Sequence, residues 1–430
     1  MKKLLPLANF LLLAAPALAD EATAAAPAKL DSGNSAWMIV ASAFVLLMTL
    51  PGLALFYGGM VRRKNVLALL MQTLSVVAVV SIVWIIAGYS LAFSEGNPFI
   101  GGFSRFFLNG MGINELSTTI PESVFVMFQG TFAIITPALI IGAYADRMRY
   151  SALLVFNLLW IILVYAPIAH IVWGPKGWLF DAGILDYAGG TVVHINAGIA
   201  GLVAAIVLGK RKGFGVENMA PHNLILTFVG AGLVWVGWFG FNAGSALAAD
   251  GRAGMAMLVT HTAAATAVMA WIFAEWIVAK KPSLLGGASG AVAGLVAITP
   301  ASGFVDVKGA LIIGLVAGLV GYWGVTGLKK LLGQDDALDC FGVHGVCGIV
   351  GAILTGIFAV KDIGGTAGLL EGNTDIMGVQ LLGVGFTLVY SGVLTFVILK
   401  IVDVVIGLRV SPDEEREGLD LSQHGEALHG

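Results

Sequence analysis

From Trp37 onward the chain alternates long apolar stretches with short polar loops. Stretches of about 20 predominantly apolar residues, the length an α-helix needs to cross a hydrocarbon core, fall near 36–60, 65–93, 121–143, 151–173, 190–209, 222–246, 255–279, 283–300, 308–332, 340–359 and 377–407. A bilayer offers no water to backbone N–H and C=O groups, so segments this apolar satisfy them internally as helices. The pattern predicts an all-α polytopic membrane protein with eleven transmembrane helices.

The loops carry a second pattern. Arg62 to Lys64, Arg147 with Arg149, Lys210 to Lys212, Lys280 with Lys281, and Lys329 with Lys330 place twelve cations in the odd-numbered loops. The even loops hold only Arg105, Lys176, Arg252, Lys308 and Lys361. Loops rich in Lys and Arg are retained on the cytoplasmic side, which predicts an N-terminus outside and a C-terminus inside. The first nineteen residues agree: Lys2 and Lys3 precede an apolar run ending in Ala17-Leu18-Ala19, the build of a cleavable signal peptide and short for an uncleaved spanning helix. The expected organisation is a signal peptide (1–19), a short, poorly ordered external segment (20–35), a membrane domain (36–407) and a cytoplasmic tail (408–430), in a bacterial inner membrane. The tail, with its EEREGLD run, suits contacts with another protein or simple solvation.

Composition narrows the function classes. With 58% hydrophobic and 11% charged residues and a mean hydropathy of +0.92, this chain does not have water as its main solvent. A net charge of −3 offers no basic excess for nucleic acid. Glycine fills 58 positions, about twice the ordinary share, and in apolar helices this lets backbones approach closely around a narrow path. Cys340 and Cys347 lie roughly 10 Å apart along a helix axis, too far for one disulfide.

Ionisable residues inside apolar spans are costly and are therefore candidates for function. Glu275, Lys400 and Asp403 fall near predicted cytoplasmic ends, within snorkelling reach of water. His170 and His222 lie near span ends and read as interfacial; His261, early in its span, has no assigned role. His194 and His344 remain, several residues inside their spans among Gly, Ala and Val. One such histidine reads as a packing residue bonded to a neighbour. Two at matching places read as a shared site, since imidazole donates from one nitrogen and accepts at the other. Cys340, His344 and Cys347 share a helical face, which permits a soft-metal site, but cysteine is also an ordinary small apolar residue; no metal or cofactor is expected.

The two histidines also suggest a repeat. Asp186-YAGGTVV-His194-INAGIAG and Asp339-CFGV-His344-GVCGIVG each run Asp, glycine, His and small residues, as an inverted five-plus-five pseudo-repeat with the eleventh span outside it requires. Two aromatic stretches, Phe128-Gln129-Gly130-Thr131-Phe132 and Trp238-Phe239-Gly240-Phe241-Asn242-Ala243-Gly244-Ser245, and Trp173 at the end of the fourth span, read either as interfacial anchors or as a cup whose aromatic faces and a hydroxyl hold a small cation.

Taken together, FYGGMVRRKNVL, FQGTFA, PIAHIVWG, DYAGGTVVHINAGIAGLV, GWFGFNAGSA, DCFGVHGVCGIVGAI and GLRVSPDEEREGLD closely resemble the bacterial Amt branch of the Amt/MEP/Rh ammonium transporters, from about Trp37 to the tail. The resemblance implies a homotrimer with one pore per subunit and an external recruitment site at Trp173, Phe132 and Ser245. It also implies a gate of Phe132 with Phe241, a pore lined by His194 and His344 with Trp238 beside it, and Asp186 supporting the outer site. A PII-type signalling protein at the cytoplasmic face is the implied partner. On this reading the protein is not an enzyme: it recruits ammonium or methylammonium, removes a proton and conducts the neutral amine, with separate proton transfer along the histidines left open. An ammonium sensor acting through a cytoplasmic partner is the rival reading.

Overall fold

The computed structural model describes residues 29–428, so the signal-peptide reading of 1–19 lies outside the described residues. Within them apolar helices follow one another as α1 (Ser32–Met60), α2 (Arg63–Phe93), α3 (Glu122–Tyr144), α4 (Tyr150–Asp181, broken at 174–177), α5 (Gly190–Leu208), α6 (Leu224–Gly244), α7 (Gly251–Ala279), α8 (Leu284–Ile298), α9 (Val307–Leu332), α10 (Phe341–Phe358) and α11 (Asp375–Ile406). Ten of these are long and apolar enough to cross a membrane; α8 is the shorter one, with 15 residues. Each predicted apolar stretch corresponds to one helix. The chain is a multi-pass membrane protein.

The first helix starts earlier than the hydrophobic pattern predicts. Residues 32–35, expected to belong to a loose external segment, form its first turn because the Asp31 carboxylate accepts the Asn34 N–H at 2.8 Å and so caps donors that a helix start leaves free. Asn34 in turn donates to Thr119 in the α2–α3 connection, where two short antiparallel hairpins pair 96–97 with 100–101 and 116–117 with 120–121.

At the centre of the bundle α5 and α10 cross. A Cβ on Gly198 would lie 2.3 Å from the Gly345 backbone, and one on Gly348 would lie 3.2 Å from Ile195 N and His194 Cβ. Residues rising along one helix meet residues falling along the other, so the two run antiparallel, backbone against backbone, as small residues permit. Each helix opens on a wide π-helical turn, Gly190–Ile195 and Phe341–Gly345, and each histidine sits in that turn. Such turns recur at functional sites.

The repeat is real but its register is different from the one the motifs suggested. Asp186 accepts the N–H groups of Gly189, Gly190, Thr191 and Val192, and it is Asp336 that does the same for α10, accepting from Cys340 and Phe341. Asp186 precedes His194 by the same eight positions as Asp336 precedes His344. Three residues after each aspartate the backbone turns left-handed, at Gly189 (φ 107°) and Asp339 (φ 61°). Asp339, the residue matched to Asp186 from the motif, instead pairs with Lys329 at 2.6 Å.

The end of the bundle that carries residues 62–64 is closed by buried charge. Arg211 makes a two-pronged ion pair with Asp335 and reaches Asp146, which also binds Arg62. Arg147, fully buried, donates to the carbonyls of Ala143 and Asp335. Burial pushes the Asp335 carboxyl up, but its hydrogen bonds and charge contact with Arg211, with Arg147 behind, hold it below the usual carboxylate range. The tail is neither loose nor free. It folds as α12 (Pro412–Glu417), whose Ser411 and Glu414 form a capping box, and α13 (Leu419–His424). Glu415 accepts the Lys212 N–H and an Arg409 prong, Asn65 accepts the Leu419 N–H, and Asp420 accepts the Ala68 N–H.

Candidate functional site

Aromatic and imidazole rings form a continuous row from one mouth of the bundle to its centre. Trp173, at the end of the main run of α4, meets Phe132 of α3 edge-on at 6.0 Å between centroids. Phe132 stacks on Phe241 of α6 at 4.0 Å and 16°. Phe241 lies 6.0 Å from His194 and 5.4 Å from Trp238. His194 is sandwiched, with Trp238 parallel at 5.2 Å and His344 parallel at 5.4 Å. The row thus brings together Trp173, Phe132, Phe241, Trp238, His194 and His344.

The mouth is a concavity of about 270 Å³ whose lining includes Trp173, Phe132, Ser245, Phe125, Gln129 and Tyr187. Trp173 is oriented by its indole N–H, which donates to the Asp186 carbonyl at 2.7 Å. Asp186 therefore acts at two levels: its carboxylate caps α5 and its carbonyl aims the tryptophan. Ser245 donates to the Phe241 carbonyl at 2.9 Å, which leaves its oxygen lone pairs free to accept. Beyond the mouth, the stacked Phe132 and Phe241 are both buried to within 1%, and together they form an apolar plug between the concavity and the histidines.

The histidines are not ordinary packing residues. His194 is wholly buried and His344 is 2% exposed. Among the described residues, neither ring nitrogen of His194 and not Nδ1 of His344 has a hydrogen-bond partner. Buried polar atoms are almost always paired, so a side-by-side pair of rings with unspent donors and acceptors departs from the packed interior around it. Trp238 is different: its indole N–H is satisfied by Thr299 Oγ1 at 2.8 Å, so it presents a fixed, apolar face to His194.

Several of the other ionisable residues have structural employment. His170, read as interfacial, is fully buried, with Nδ1 2.9 Å from the Ala92 carbonyl and Nε2 2.9 Å from that of Asn97. It ties the Trp173-bearing turn to the α2–α3 connection, a role its position near a span end gave no sign of. His222 approaches the Val61 carbonyl, and exposed His261 leans on Trp235 and Phe239. Glu275 does not simply reach for water: it accepts the N–H and hydroxyl of Ser283 at the start of α8. The thiols of the Cys340, His344 and Cys347 face are free and turn to different neighbours, Cys340 to the Ala197 carbonyl and Cys347 to that of Ala317.

A multi-pass apolar helical bundle packed around a row of buried rings has the build of a membrane transport protein. The particular kind follows from comparison: the chain belongs to the ammonium transporter family, whose profile matches residues 36–428. It is 52% identical to an ammonium transporter of Bacillus subtilis over 93% of this chain and 99% of that one. It is likewise 52% identical to one of Aquifex aeolicus over 94% and 95%. Among solved structures it is similar to Saccharomyces cerevisiae Mep2, with 38% identity, 90% and 89% coverage and a TM-score of 0.84. It is also similar to a structure described as a sensor Amt protein, with 30% identity, 91% and 98% coverage and a TM-score of 0.85.

Proposed function

We propose that this protein conducts ammonium-derived nitrogen across a bacterial inner membrane by selecting the cation at the aromatic mouth and passing the neutral amine along the histidines. The observation that carries the reading is the ring row: a cation-competent concavity, then a stacked Phe132–Phe241 plug, then a buried histidine pair with unpaired nitrogens. Membership of the ammonium transporter family supplies the substrate class.

The physical logic is a comparison of costs. Moving a small cation into a low-dielectric lumen costs ideally about 20 kcal/mol, still several after relaxation. Potassium has no way around that. An amine with a pKa near 10, taking Lys as a guide, gives up its proton at pH 7 for roughly 4 kcal/mol, so deprotonation before the plug is the cheaper path. Trp173, Phe132 and Ser245 recruit the cation by ring faces and a hydroxyl oxygen. Phe132 and Phe241 exclude hydrated ions. His194 and His344 hydrogen-bond the neutral amine as it passes, and Trp238 holds the facing wall. Asp186 keeps the mouth in shape.

In this reading the Trp173 mouth faces outward, the tail faces the cytoplasm, and the protein assembles as a homotrimer with one pore per subunit, its cytoplasmic face meeting a PII-type signalling protein. The sensor reading has one supporting observation, the sensor Amt neighbour. The decisive experiment reconstitutes the protein in liposomes and measures radiolabelled methylammonium uptake together with current, for wild type, His194→Ala and His344→Ala, with potassium as competitor. Wild-type uptake resistant to potassium, with selectivity or current altered in both variants, is the expected result. No uptake by the wild type sinks the transport reading and promotes the sensor.

A further inference from the structure

An ammonium ion stripped of water has four N–H donors to satisfy, and aromatic faces with one serine oxygen do not provide four acceptors. Two side chains that line the concavity at the Trp173 mouth carry oxygens without employment. Gln129 and Tyr187 both line it, and among the described residues neither Gln129 Oε1 nor Tyr187 Oη has a hydrogen-bond partner, although both atoms are buried from bulk water. Leaving a buried acceptor unpaired costs about 1–3 kcal/mol, so two such oxygens on side chains bordering one cavity invite a donor-bearing ligand that a small turn of either side chain would meet.

Both side chains are held in place by the fold. Gln129 lies on α3 one turn before Phe132, between the buried Phe128 and Gly130, and Gly130 packs so tightly on the Trp84 indole that a Cβ there would come within 2.9 Å of the ring. Tyr187 follows Asp186, and its N–H donates to the Pro300 carbonyl at 3.1 Å. Arg252 holds its ring: the guanidinium lies 4.9 Å from the Tyr187 centroid and 5.0 Å from that of Phe304, with Nε donating to the Gly303 carbonyl. A cation stacked on a ring fixes its plane, so the hydroxyl is presented from a clamped phenol. We propose that Gln129 Oε1 and Tyr187 Oη are specificity-determining acceptors of the mouth, binding N–H donors of the incoming ammonium or methylammonium ion together with Ser245. They favour an ion with directed N–H bonds over a spherical alkali cation.

This inference rests on the transport reading above and is tested so that the two fail separately. Methylammonium uptake into proteoliposomes is measured as a function of concentration for wild type, Gln129→Met, Gln129→Glu and Tyr187→Phe. Methionine removes the acceptor at similar length, glutamate restores one, and phenylalanine leaves the Arg252 stack intact. Loss of a hydrogen bond to a charged donor predicts a KM raised by about tenfold or more in Gln129→Met and Tyr187→Phe, with the maximal rate unchanged and the KM of Gln129→Glu well below that of Gln129→Met. A wild-type KM in both acceptor-removing variants overturns the inference alone, as does a fall in maximal rate without a change in KM. Absence of uptake by the wild type overturns the transport reading and this inference with it.

Discussion

Four backbone N–H groups converge on the Asp186 carboxylate, and the same residue's carbonyl fixes Trp173. Asn in its place offers one acceptor oxygen and turns an NH₂ group towards donors. Asp186→Asn is therefore expected to cost about 1–3 kcal/mol and to loosen the mouth. A lowered melting temperature in nanodiscs and a loss of uptake would show it; an unchanged melt would mean the cap is dispensable. At this scale the sequence was partly legible. His194, His344 and the mouth aromatics stood out because polar or aromatic residues in Gly- and Ala-rich spans need a reason. Gln129 and Tyr187 did not, because an amide and a phenol near an interface look ordinary until their oxygens are seen unpaired. Asp336 was overlooked because Asp339 is nearer to His344, although the shared eight-residue spacing to histidine was there to be counted.

Helices were the most legible level, since a run of apolar residues fixes the length of a membrane element and α1 to α11 follow those runs. Their ends were less so: α1 begins at a capping aspartate rather than at the first apolar residue. What the pattern could not reveal is how α5 and α10 meet, because contact between two glycine-lined backbones leaves no periodic trace. That crossing is testable. Gly198→Val places side-chain carbon where the Gly345 backbone lies 2.3 Å away, so the helices must part and the histidines lose their parallel overlap. Uptake is expected to vanish while the protein still inserts. Gly232→Ala is the contrast, with nothing within 4 Å of the added carbon; it is expected to leave uptake intact and to stabilise its helix by up to about 1 kcal/mol. Equal behaviour of the two would remove the crossing from the argument.

Over the whole molecule, the two ends are built on different principles. The Trp173 end is aromatic and open; the other is bound by the Arg211–Asp335–Asp146–Arg62 network with the tail folded against it. Because Asp335 is held below the ordinary carboxylate range, its contribution is complete above the unfolded value of about 3.9 and is lost only as pH falls through the lower folded value. Protection from hydrogen exchange at residues 208–212 and 335, relative to unstructured amides at the same pH, is expected to hold at pH 5 and to fall below about pH 4. Asp335→Asn should lose protection at both; retained protection in that variant would mean the ion pair is not what closes this end. Between these unlike ends lie two histidines in like registers on antiparallel helices. On the conduction reading proposed above, a solute arriving from either side meets a histidine set in the same local register, so the middle of the path imposes no direction of its own. On that reading any difference between influx and efflux arises at the mouths, in how readily each side fills, and below saturation the direction of net flow is set by the gradient.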